Sequence, residues 1–233
     1  PQEPLYRTFG VDAEILIDHA WGREPVTIAD IKAYRSKDKS LSSGQVLGQD
    51  KDFAGGLLVA KEMADDLALQ LVEKGLVARG VSIAVGYRLS AGEKDELRRQ
   101  AAADGADGRA GEHGARVRWG EFAEGGSARL AVPTSSRTEV MRAATALFEQ
   151  VADHGRPIHR LTMTLTGVTP EGTGEQMGLF RDGTQLERER RRQQAISEVK
   201  RKFGKNALLK GMDLLPEATQ RERNGQIGGH RSG

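Results

Sequence analysis

Side chains able to do chemistry are thinly scattered along this chain of 233 residues. The five histidines, His19, His113, His154, His159 and His230, show no metal-ligand spacing with one another or with a carboxylate. There is no cysteine, which rules out disulfides, zinc–thiolate sites and thiol nucleophiles. Asp50-Lys51-Asp52 has the D-x-D form that can hold Mg²⁺ on phosphates, but its position just before an apolar-periodic run reads better as a strand-to-helix turn in which Asp52 caps the helix. Gly55-Gly56 lacks the spacing of a phosphate-binding loop. His159 falls on the apolar parity of its segment and is read as a satisfied core residue rather than a ligand. No self-contained active site emerges, and neither a catalytic residue nor a metal site is expected in this chain.

What the residues do offer is a surface for anions. His159, Leu161, Met163 and Leu165 alternate with Arg160, Thr162, Thr164 and Thr166, the pattern of a half-buried strand whose outer face carries hydroxyls and a guanidinium. Val81, Ile83, Val85 and Tyr87 alternate in the same way with Ser82, Ala84, Gly86 and Arg88, and Leu130 and Val132 alternate with Arg129 and Ala131. The outward set Ser82, Ala84, Gly86, Arg88, Arg129, Arg160, Thr162 and Thr164 contains no Phe or Tyr, which disfavours the base stacking of RNA-recognition modules. Small side chains and arginines suit phosphate contacts; an ordinary hydrated sheet face is the alternative reading.

The elements that must carry this face can be laid out along the chain. Residues 2–21 read as two short helices with a cap at Asp12, and 22–39 as a linker. Ser40–Leu47 is a strand. A long helix capped by Asp52 follows, with Leu57, Ala60, Ala64, Leu67 and Leu71 on one face and Gly75 as its stop. Val81–Arg88 is the second strand and Ser127–Val132 the third. A helix over Thr138–Asp153 presents Val140, Ala144, Leu147, Phe148 and Val151, Gly155 ends it, and the Arg/Thr strand closes the series. The order β-α-β-β-α-β predicts an α+β, ferredoxin-like domain, an antiparallel sheet with both helices on one face and the other face open. Residues 91–115 interrupt it as a low-complexity insert. Its section Ala101–Ala115 holds six Ala and four Gly and is expected to be a mobile loop. Past Val168 come a second linker with an isolated apolar cluster, Gln176-Met-Gly-Leu-Phe180, then a charged helix over 185–203 with Ile196, Val199 and Phe203 on one side. The last thirty residues carry no fold assignment.

Bulk properties set the partners. From Gln185 to the end there are twelve Lys/Arg against six Asp/Glu, while the rest of the chain is net acidic, so the tail is the basic part. No apolar run approaches the roughly 20 residues of a membrane span, and no signal-peptide pattern opens the chain. A cytoplasmic location without membrane contact is expected. The chain begins with Pro1 rather than Met, which suggests a piece of something longer.

At this point the residues resemble a family. Leu5-Tyr-Arg-Thr-Phe-Gly-Val-Asp-Ala-Glu14, Ile28-Ala-Asp-Ile-Lys-Ala-Tyr34 and Ser40-Leu-Ser-Ser-Gly-Gln-Val-Leu47 look like the C-terminal part of Y-family translesion DNA polymerases, nearest to the UmuC-like branch. Ala131-Val-Pro-Thr-Ser-Ser136, the strand Ile158–Leu165, Gly204–Met212 and Glu222–His230 extend the resemblance over nearly all of the chain except the insert. It implies four parts: the end of a thumb domain (1–34), a little finger DNA-binding domain (35–170), a linker with a clamp-binding motif (171–184), and a basic helix and tail (185–233). It implies a role in DNA repair and translesion synthesis within the SOS response, with primer–template or damaged DNA and the polymerase sliding clamp (beta subunit) as partners. Ser42, Ser43 and Gly44 match the family's first-strand contact to the template backbone, and Arg129 and Arg160 its phosphate-facing positions. Gln176, Leu179 and Phe180 resemble its clamp-binding motif. The Mg²⁺-binding palm carboxylates that would make the chain a DNA-directed DNA polymerase are absent, so no cofactor is expected here. A stand-alone nucleic-acid-binding or interaction module is the alternative.

Overall fold

The structure, a computed structural model, describes residues 2–24, 26–33, 39–93, 95–96, 116–118, 121–172, 183–227 and 230–231. It divides into two units, Pro1–Asp38 and Lys39–Gly233.

The first unit holds α1 (Glu3–Phe9), a 3₁₀ turn (Gly10–Asp12), α2 (Ala13–Ala20) and α3 (Ile28–Ala33). The two expected short helices are present, but Asp12 does not cap the second, because its backbone is already helical and its side chain makes no cap bond. The stretch 22–39, expected to be a linker, contains α3. Its start is fixed locally, since Thr27 Oγ1 accepts from the Asp30 N–H at 3.2 Å and Asp30 Oδ2 accepts from the Thr27 N–H at 2.9 Å.

The second unit runs β1 (Ser40–Lys51), α4 (Phe53–Lys74), β2 (Leu76–Arg88), β3 (Arg116–Arg118), β4 (Glu121–Thr134), α5 (Arg137–Val151), β5 (Ile158–Thr166), β6 (Thr169–Pro170) and α6 (Gly183–Phe203). A 3₁₀ turn (Gly211–Leu214), α7 (Gln220–Arg223), β7 (Gln226–Ile227) and β8 (His230–Arg231) complete it. This is the expected α+β succession, with longer strands than the clean alternation marked and one short strand, β3, added to the β4 edge. The sheet order is β1-β5-β2-β4-β3 with antiparallel neighbours, so β5, last of the long strands in the chain, lies between the first two. Of the insert, 97–115 lie outside the described residues, and with them the expected mobile loop.

Local chemistry sets the helix ends. Asp52 Oδ1 accepts from the Gly55 N–H at 2.8 Å, and Gly75 takes the left-handed backbone (φ 62°) that lets its N–H close back on Leu71 and Val72. Ser136 caps α5 by accepting from the Glu139 N–H, and the helix stops at Ala152, short of Gly155. Ala60, Ala64, Leu67 and Leu71 of α4 and Val140, Ala144, Leu147 and Phe148 of α5 pack over Val81, Ile83, Val85, Tyr87, Leu161, Met163 and Leu165 of the sheet. Apolar area removed from water at about 25 cal/mol per Å² makes this layer the main source of stability.

Helix α4 is covered again on its far side, by α6 and the tail, which explains the buried Glu62, Asp65 and Leu69 on it. The docking is polar. Glu189 of α6 accepts from Ser136 Oγ (2.7 Å) and the Thr138 N–H (2.8 Å), and Gln193 is buried against Ser135. Ile196 and Val199 are half-buried as the expected stripe requires, but Phe203 is 66% exposed. The stripe ends early because hydrogen bonds, rather than a continuous apolar seam, hold this helix. The described residues among the last thirty, a stretch left without an expectation, include a strap over α4. Lys210 and Arg137 both bind the Asp65 carboxylate, and burial pulls the Lys210 amine below the ordinary lysine range despite that carboxylate's attraction.

Candidate nucleic-acid interface

The face of the sheet away from α4 and α5 is covered by no described element of the second unit. Register turns it into four rows. Ser40–Thr166–Gly80–Arg129 is the first, Ser42–Thr164–Ser82–Ser127 the second, Gly44–Thr162–Ala84–Gly125 the third and Val46–Arg160–Gly86–Ala123 the fourth. These sixteen positions hold two arginines, seven hydroxyl side chains and no acid. Arg129 and Arg160, both exposed, stand in the first and last rows, on β4 and β5, six residues apart along the strands and two strands apart across them. At roughly 3.3 Å per residue and 4.8 Å per strand their attachment points are about 22 Å apart, too far to share one phosphate. The hydroxyls are partly engaged. Ser42 and Thr164 share a 2.9 Å bond, and Ser82 donates to the Gly126 carbonyl at 3.1 Å.

The expected site residues therefore sort into groups. Ser42, Gly44, Arg129, Arg160, Thr162 and Thr164 lie together on this face with Thr166, whose parity already pointed outward, and with Ser40 and Ser127, which sequence reading left out because the flanking register was not visible. Ser43 pairs with Met163 on the opposite, helix-covered side, where its hydroxyl accepts from Arg223 Nη2 at 3.4 Å. Gly44 is not demanded by packing, because a Cβ there would meet only Thr162 Oγ1 at 3.6 Å. Gln176, Leu179 and Phe180 lie outside the described residues.

Arg88 is on the open side of β2 but is already bound. Its Nε and Nη2 donate to Asp50 Oδ2 and Oδ1 at 3.0 and 3.2 Å. Asp50 also lies 2.9 Å from His159 Nδ1. The expectation that His159 is a core residue is overturned here. β5 shifts register near its start, Ile158 takes the buried place, and His159 turns out to the edge with 18% of its side chain exposed. The Arg88 hydrogen bond holds the Asp50 carboxyl below the ordinary carboxylate range; partial burial pulls it up and His159 pulls it down. Tyr87, by contrast, is buried as its parity requires. Its hydroxyl donates to Glu124 Oε2 at 3.2 Å and accepts from the Asp153 N–H at 2.7 Å.

An α+β domain whose open sheet face carries two arginines and seven hydroxyls in four acid-free rows can now be set beside known proteins. Residues 38–179 match the impB/mucB/samB family C-terminal domain. The chain belongs to that family. UvrX of Bacillus subtilis (strain 168), named for UV-damage repair, is 24% identical over 236 residues, which cover 100% of this chain and 48% of UvrX. DNA polymerase IV of Pelotomaculum thermopropionicum (strain DSM 13744 / JCM 10971 / SI) is 33% identical over 94 residues, 40% of this chain and 22% of that polymerase. The chain thus spans about half the length of UvrX and a smaller share of the polymerase. The resemblance to the C-terminal part of Y-family polymerases holds. The α6 helix and the strap lie beyond the residues that the family domain matches.

Proposed function

We propose that this chain is the DNA-holding C-terminal portion of a Y-family polymerase that acts in DNA repair and translesion synthesis during the SOS response. The single observation that carries the reading is the set of four acid-free rows on the open sheet face, with Arg129 in the first row and Arg160 in the last. Cations too far apart to share one phosphate, on a floor of glycine, alanine and short hydroxyls, favour backbone over base contact. Such contact holds a duplex without reading its sequence, as copying past lesions requires. Gly44 supports this reading, since its bareness serves close approach from outside rather than internal packing.

Polymerization itself would belong to a palm domain. Among the described residues no group of three His, Asp or Glu side chains could hold a metal ion, so no metal-dependent step is derived from this chain. Also among the described residues, no helix is long and apolar enough to cross a membrane. The working location we propose is the cytoplasm, on primer–template DNA, with Gln176, Leu179 and Phe180 docking on the sliding clamp: the amide fixes register and the apolar pair fills a pocket. Titrating the chain with a primer–template duplex at increasing salt tests the reading. Affinity that falls steeply with salt supports it, and a flat response refutes it.

A further inference from the structure

The fourth row of the open face ends at a cluster the proposed function does not use as it stands. Asp50 comes from β1, Arg88 from β2 and His159 from β5, the strand between them. The register shift in β1 between Val46 and Lys51 sets Asp50 where it reaches across the start of β5 to Arg88. The carboxylate and the imidazole are the sheltered members, with 24% and 18% of their side chains exposed, whereas the guanidinium is 59% exposed.

His159 Nδ1 lies 2.9 Å from Asp50 Oδ1 and 3.2 Å from Arg88 Nη2. One ring nitrogen cannot serve both neighbours at once. Without a proton on that nitrogen it accepts from Arg88 and has no hydrogen to give the carboxylate. With a proton it donates to Asp50 and repels the guanidinium. When the ring is fully protonated, two cations compete for one carboxylate. Of the other charged groups nearby, Lys51, next to Asp50, binds Glu217 of the strap at 2.5 Å, Arg160 follows His159 in β5, and Glu121 of β4 is the register partner of Arg88.

We infer that Asp50 is a built-in competitor of phosphate for Arg88, and that protonation of His159 replaces Arg88 on Asp50 and frees the guanidinium for a nucleic-acid phosphodiester. The inference rests on the reading of the sheet face as a DNA surface. It adds a third cation to Arg129 and Arg160 only in the imidazolium state or when Asp50 is neutralised. No bond other than hydrogen bonds changes, and the proton comes from solvent.

The test has two arms. The first needs no DNA: the Arg88 Nε–H signal of the whole chain is followed by nuclear magnetic resonance from about pH 8 to about pH 5.5. It should move with pH in the wild type and stay still in His159→Gln. The second measures the dependence of duplex affinity on salt at both ends of that range. The slope should steepen by about one unit at the acid end in the wild type, be steeper by about one unit at both ends in Asp50→Asn, and be indifferent to pH in His159→Gln. An Arg88 signal indifferent to His159, or an Asp50→Asn slope equal to wild type, makes the cluster an ordinary ion pair and overturns the inference. Loss of all duplex binding in every form would instead sink the sheet-face reading, while the first arm still decides whether His159 controls Arg88.

Discussion

The carboxylate of Glu62, in the middle of α4, closes the start of a helical turn 157 residues further along the chain. Thr219 donates to it from its backbone N–H at 3.0 Å and from its hydroxyl at 2.8 Å, and the Gln220 N–H adds a third bond at 3.1 Å. Glu62 is 1% exposed, so these donors have no water to fall back on. Replacing Glu62 by Ala should cost about 2–4 kcal/mol in urea unfolding, the scale for several donors left buried without an acceptor. A loss below about 0.5 kcal/mol would mean that the strap does not rest on α4 in solution.

Tyr87 carries a pH signature. Burial first, and Glu124 and Asp153 beside it, push its phenol up to about 12, against the Asp153 N–H that favours the charged form. A folded-state pKa above the unfolded value near 10 means stability is fully present below about pH 10 and is lost as pH rises toward 12. Tyr87→Phe should flatten that alkaline loss and, by giving up two hydrogen bonds, cost about 1–2 kcal/mol at neutral pH in a chemical melt. Equal alkaline slopes in the two proteins would contradict the burial of this hydroxyl.

Gly80 lets two strands approach. A Cβ there would stand 2.7 Å from Thr166 Oγ1 and 3.1 Å from the Ala128 carbonyl oxygen, in the row that carries Arg129. Gly80→Ala should therefore destabilise by about 1–3 kcal/mol through overpacking, whereas Gly48→Ala, which would meet nothing within 4 Å, should unfold at nearly the wild-type denaturant concentration. Matching midpoints for the two variants would deny the close approach at Gly80.

Clamp docking is tested apart from DNA binding. Leu179→Ala with Phe180→Ala should abolish binding to the sliding clamp and leave duplex affinity unchanged, because apolar anchors carry most of the energy of such short motifs. Clamp binding at wild-type strength in a direct binding assay would make the motif decorative.

Local signals were legible in the sequence where one residue type answers one backbone need. Asp52 and Gly75 bound α4 as read, and the parity of Leu161, Met163 and Leu165 named the buried face of β5. Parity failed at His159 because a register shift reverses sides without changing composition. That same shift hid the partnership of Asp50 with Arg88. The strap was illegible for a different reason. It is held by carboxylates meeting amides and cations, so it has no apolar period to read. The position of β5 between β1 and β2 is a long-range pairing, and chain order alone does not specify it.

The central claim is that Arg129 and Arg160 each hold a DNA phosphate. The most direct measurement is the salt dependence of primer–template affinity for the wild type and for Arg129→Ala with Arg160→Ala. The account predicts a slope lower by about one to two units in the double variant, with little change in preference between duplex sequences. An unchanged slope would contradict it.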